Sequence, residues 1–102
     1  MPTKFKENKM GDVDMDELER NMCYVHAAEY FDDGDYSAAV SECSAAISKG
    51  VRDDRIYNIR AYSYLKRGEA LKARLDFDAS LELDPDDSEI MDFRDRLKSM
   101  GY

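Results

Sequence analysis

Arg55, Asn58, Tyr62 and Lys66 follow one another in steps of three, four and four, so a single helix would carry all of them on one face. Together they could grip a polypeptide. An Asn amide bonds a peptide backbone, a Tyr offers an amphipathic contact, and two flanking cations suit a carboxylate. The competing reading of each is a solvated helix face. Reactive residue types are sparse elsewhere. His26 is the only histidine, and no Ser, Cys or carboxylate spacing supplies it with a triad, so a half-buried structural role is expected. Cys23 and Cys43 are the only cysteines; without clustered histidines they form no zinc site and read as packed thiols. Asp12, Asp14 and Asp16 open like a calcium loop, but Glu17 and Cys23 stand where that loop needs Gly and Glu. Asp84, Asp86 and Asp87 read as a turn. No glycine-rich phosphate loop is present. The expectation is a chain with no metal, no cofactor and no catalytic residue, which is not an enzyme.

The elements that position this face are written in a repeat. Aligning Gly34 with Gly68, 34 residues on, pairs Ala27 with Ala61, Tyr30 with Tyr64, Ala39 with Ala73, Cys43 with Phe77 and Ala46 with Ser80, without a gap. Alanines let two helices approach closely, and the larger side chains fill the space beside the crossing. Gly34 and Gly68 stand where a first helix must stop, a place that favours positive φ. Asp35 and Glu69 follow as candidate caps of the second helices. The predicted helices end near Phe31, then cover Ser37–Lys49, Arg55–Lys66 and Ala70–Leu83, with Pro85 breaking the chain. Ser88–Met100 departs from the pattern and carries one apolar stripe of Ile90, Phe93, Leu97 and Met100, as expected of a capping helix. Residues 1–13 are expected to be a disordered arm, with Asp14 or Asp16 capping the first helix, and residues 14–102 a single domain.

The order bulky, small, Tyr, Ala, aromatic, Pro reads Cys23, Ala27, Tyr30, Ala39, Cys43, Val51, and then Tyr57, Ala61, Tyr64, Ala73, Phe77, Pro85. On these residues the chain resembles the tetratricopeptide repeat family, with repeat one at 20–53, repeat two at 54–87 and a capping helix at 88–100. The resemblance implies an all-α fold: a short superhelix of two helical hairpins and a C-terminal cap. It also implies a concave groove lined by the first helix of each repeat. The matching positions are Asn21, Tyr24, Ala28, Phe31 and Asp32, then Arg55, Asn58, Tyr62, Leu65 and Lys66. Tyr24, Phe31, Arg55, Asn58, Tyr62 and Lys66 are the candidate partner-binding residues, with Phe31 and Tyr62 as anchors. The subclass that clamps chaperone tails needs Lys, Asn and Arg where Tyr24, Ala28, Ile59, Glu89 and Phe93 stand here, so that mechanism is not expected.

Composition narrows the partner. Among 102 residues the net charge is −8, which disfavours nucleic acid and anionic membrane surfaces. No apolar run approaches a membrane span, and residues 1–19 lack the core of a signal peptide, so a soluble cytoplasmic protein is expected. Between Arg52 and Arg74, however, seven bases face three acids. That basic middle favours a protein or peptide partner with an acidic or carboxylate feature. The leading expectation is an adaptor or scaffold module. The alternative is an assembly subunit that forms a homo-oligomer or completes a larger complex through its first helix.

Overall fold

The computed structural model describes residues 4–102, and side-chain surroundings from Glu17 onward. Every regular element among these is an α-helix: α1 (Lys4–Asp32), α2 (Tyr36–Ser48), α3 (Asp54–Lys66), α4 (Ala70–Leu83) and α5 (Ser88–Ser99). Each helix packs on the next in chain order, and α1 also touches α3. Short connections make α1/α2 and α3/α4 antiparallel hairpins. No helix among the described residues is long and apolar enough to cross a membrane.

The two hairpin turns are built alike. Gly34 and Gly68 adopt φ of 81° and 78°. In each turn the residue after the glycine reaches back to close the first helix. Asp35 N–H donates to the Tyr30 carbonyl at 2.9 Å, and Glu69 N–H to the Tyr64 carbonyl at 2.8 Å. This is the Schellman arrangement that a left-handed glycine permits.

The caps differ from the expectation at one turn. Asp35 accepts from Ala38 N–H at 3.1 Å and so caps α2. Glu69 makes no capping bond; its longer carboxylate is drawn to Arg67 at 2.7 Å and Lys72 at 3.1 Å instead. Asp53 and Asp87 cap α3 and α5 through Arg55 N–H and Ile90 N–H. The slot one repeat before Asp53 is Glu19, and there the helix does not start. It continues back to Lys4, ahead of the cap expected at Asp14 or Asp16. No Pro interrupts this stretch, and a lone Gly11 costs only about 1 kcal/mol relative to Ala, so local chemistry does not break it. The expected arm thus begins outside the described residues and has helical backbone from Lys4.

Two apolar clusters form the core, and each hairpin is closed by the helix that follows it. Ala27, Ala39, Cys43 and Ala46 of the first hairpin pack with Ile56 and Ile59 of α3. Ala61, Ala73, Phe77 and Leu81 of the second pack with Ile90 and Leu97 of α5. The alanines at both crossings are fully buried. Helix α5 buries Ile90 and Leu97 but leaves Met100 in solvent, because Met100 lies past the last turn as the C-cap.

Candidate binding surface

The face expected to bind is largely occupied by its own members. Arg55 is held by several partners. Its Nε and Nη2 donate to the two Asp53 carboxylate oxygens at 3.0 and 2.6 Å, and Nη2 also donates to Asn21 Oδ1 at 2.8 Å. Its guanidinium carbon lies 4.5 Å from the centre of the Tyr24 ring. The hydrogen bonds to Asp53 raise the Arg55 pKa above its ordinary value. Burial pushes the Asp53 carboxyl up, but those bonds from Arg55 outweigh it and hold the carboxyl below its ordinary value. Asn21, Tyr24, Asp53 and Arg55 thus form one network that ties α1 to α3. Arg55 remains 42% exposed on its outer side.

Aromatic rings continue the surface. Phe31 of α1 lies 6.3 Å from Tyr62 of α3, and Tyr62 lies 5.7 Å from Phe93 of α5, centroid to centroid. Tyr36 meets the far edge of Phe31 at 5.3 Å, and the buried Phe77 underlies both Tyr62 and Phe93. The Phe31–Tyr36, Tyr62–Phe77 and Tyr62–Phe93 contacts are edge-to-face and Phe77 stacks on Phe93, geometries that the ring quadrupoles favour. Tyr62 was expected to face outward. It is half-buried, its hydroxyl pKa is raised by burial and by the charges of Glu89 and Asp87, and it holds three helices together. The physical cause is Phe93, which brings α5 over a position that periodicity in α3 alone leaves open.

Asn58 and Lys66 complete the set. Asn58 Oδ1 is buried and has no hydrogen-bond partner among the described residues, so it is not presented to solvent as expected. Lys66, in the last turn of α3, is exposed and makes no ion pair among the described residues. Arg60, Arg67, Lys72 and Arg74 are paired with Asp76, Glu69 and Asp78, and Arg55 with Asp53. Most of the basic middle is therefore neutralised internally, by acids two to four residues away in every case but Arg60, whose partner Asp76 lies on the neighbouring helix α4.

The reactive types take quieter places. Cys43 is fully buried and its thiol is pushed up to about 12, chiefly by burial. Cys23 is half-buried, and burial with the nearby Glu42 and Glu19 carboxylates raises its thiol as well. Neither is a ready nucleophile. His26 was expected to be half-buried; it is exposed, with Nδ1 3.6 Å from Glu42 Oε2, because no helix lies against that side of α1 among the described residues. Asp54, Asp84 and Asp87 place carboxylate oxygens within 4.8 Å of one another where α3 begins and α4 ends. Desolvation, then the charges of Asp53 and Asp84, raise the Asp54 pKa.

No protein-family model matches the chain, and no curated protein is significantly similar to it.

Proposed function

We propose that the chain is a protein–protein interaction module of the tetratricopeptide repeat type, with two stacked hairpins in a right-handed superhelical offset and α5 as the cap. It works without catalysis, as an adaptor or scaffold in the cytoplasm, holding an extended or helical peptide across the face shared by α1, α3 and α5. One observation carries this reading: Phe31, Tyr62 and Phe93 align into a row of rings over the alternate helices α1, α3 and α5. Arg55 and Lys66, on α3, add cations to the same surface. Aromatic and arginine side chains are where interface energy concentrates. The bonds from Arg55 to Asp53 and Asn21 orient the guanidinium before a partner arrives, which lowers the ordering cost of binding. Lys66, without an ion-pair partner among the described residues, offers its charge to an acidic or carboxylate feature.

The test is to capture partners with the intact chain and then titrate the captured segment into isotope-labelled protein. Amide shifts should gather at Tyr24, Arg55, Tyr62 and Lys66. Lys66→Glu should weaken the complex by about tenfold at low salt and by less at high salt. Shifts confined to α2 and α4 around Glu42 and Asp78 would overturn the reading.

A further inference from the structure

Every 34 residues, a helix that follows the repeat register presents the same trio: Met22, Val25 and His26 in α1, Ile56, Ile59 and Arg60 in α3, and Ile90, Phe93 and Arg94 in α5. In α3 and α5 the preceding helix covers this trio. Ile56 and Ile59 are 1% and 8% exposed in a cluster with Cys43 and Ala46 of α2. Ile90 is 2% exposed in a cluster with Leu81 of α4. The basic member bonds across the same boundary. Arg60 Nη1 donates to Ser44 Oγ at 3.0 Å, and Arg94 Nη1 to Asp78 Oδ1 at 3.4 Å. Ser44 and Asp78 are themselves one register apart.

In α1 the trio is present but no described residue covers it. Met22 and Val25 are 49% and 47% exposed, and Leu18, one turn before Met22, is exposed too. Beside them lies an open pocket of about 430 Å³ lined by Leu18, Met22, Cys23, His26 and Glu42. Its polar rim groups already have company, Lys49 with Glu19 and His26 with Glu42, each at 3.6 Å.

We infer that this end face docks an amphipathic helix of a partner protein, built like α2, with small apolar residues against Met22 and Val25 and a Ser or Asp acceptor opposite His26. The face continues, one register earlier, the interface that α2 makes with α3 and α4 makes with α5. That continuity specifies the occupant. A rim whose polar groups already face one another calls for an apolar helix with a small acceptor rather than a highly charged one. A second copy of this chain has no such helix to offer. Its α2 is covered by α3 and its α4 by α5, so a second copy offers no free helix of the α2 and α4 register. The site is separate from the aromatic row, and neither depends on the other.

The probe is the chain's own α2 segment, Asp35–Lys49, as a reduced, lactam-stapled peptide, since an isolated helix of that length is marginal in water. Titrated into the intact labelled protein, it should shift the amides of Leu18, Met22, Val25 and His26 while leaving Lys66 silent. Met22→Lys should weaken that binding by at least about tenfold and leave the thermal midpoint of the free protein unchanged, since Met22 is exposed. Absence of shifts at millimolar peptide, or shifts confined to Tyr24, Arg55 and Tyr62, would overturn the inference. So would a concentration-dependent dimer by light scattering that Met22→Lys dissolves, which would assign the face to a second copy. Failure of the groove titration described above would leave this result unaffected.

Discussion

Arg60 and Asp76 in the second hairpin occupy the same two register positions as His26 and Glu42 in the first. Their surroundings differ. Arg60 donates from Nε and Nη2 to both Asp76 oxygens at 2.7 and 2.8 Å, bonds Ser44 as well, and lies near the faces of Tyr57 and Tyr64. Those side chains are 19% and 7% exposed, against 50% and 32% for His26 and Glu42. The hydrogen bonds to Asp76 raise the Arg60 pKa, so the guanidinium stays charged within this partly desolvated site. One hairpin has a helix stacked on its leading side, and the other has none among the described residues. The same register position is therefore a buried ion pair in one place and a loose surface contact in the other. What decides is the neighbour, not the position.

That contrast gives the largest expected effect. Asp76→Ala should cost about 3 kcal/mol of unfolding free energy, because it leaves a desolvated guanidinium without its bidentate partner. Glu42→Ala should cost less than about 1 kcal/mol, as exposed pairs generally do. Urea denaturation of both variants measures the difference. Equal losses would mean that the leading side of α1 is covered in solution, as a bound partner would cover it.

The sequence was most informative where the physics is local. Alternating small and large residues, glycines that need positive φ and a proline after α4 placed the end of α1 and both ends of α2 and α3 to within a residue, and Ala70–Leu83 to the residue, but not the start of α1, which lies at Lys4. The binding face was less legible. Helical spacing put Arg55, Asn58, Tyr62 and Lys66 on one side of α3, but their roles depend on α1 and α5. Arg55 is bound by Asn21, 34 residues away, and Tyr62 by Phe93. A one-helix pattern carries no information about such contacts. The exposed Met22 face had a signal that could have been read: the trio repeats at Ile56 and Ile90, one and two registers on.

Tyr62 supplies the second way to sharpen the comparison, since its register counterpart in α1 is the small Ala28. Only the second hairpin has a large ring at this place, wedged among Phe31, Phe77 and Phe93. Tyr62→Ala should destabilise the fold by about 2–3 kcal/mol, below the cost of emptying a fully buried aromatic site because the ring is only half-buried. Tyr62→Phe should cost much less, as it keeps the ring. Thermal or urea unfolding checks both. A Tyr62→Ala protein of unchanged stability would mean that the ring stands free for a partner rather than joining α1, α3 and α5.

The smallest effect separates two adjacent carboxylates, and it too follows from the register. Asp53 sits near Arg20, which helps to lower its pKa, although the Arg55 bonds dominate. One repeat later the Arg20 position is Asp54 and the Asp53 position is Asp87, so a cation beside a cap is replaced by an acid beside a cap. Asp54 is raised by desolvation and by Asp53 and Asp84, even though the first turn of α3 should favour a negative charge. The signs are opposite. Asp53, with a depressed folded pKa, contributes stability that is present above the unfolded carboxylate value of about 4 and lost as pH falls through the folded value. Asp54, with a raised folded pKa, favours the fold below about pH 4 and loses that contribution as pH rises through its folded value. Asp53→Asn should therefore destabilise the protein at neutral pH, with the loss shrinking on acidification. Asp54→Asn should stabilise it at neutral pH by about 0.5 kcal/mol, within the ordinary range of surface substitutions, and the gain should vanish in acid. Urea midpoints at about pH 7 and about pH 3 provide the measurement. Should Asp54→Asn destabilise at neutral pH, the helix dipole outweighs the crowding from Asp84 and Asp53, and the junction between α4 and α5 holds its acids without strain.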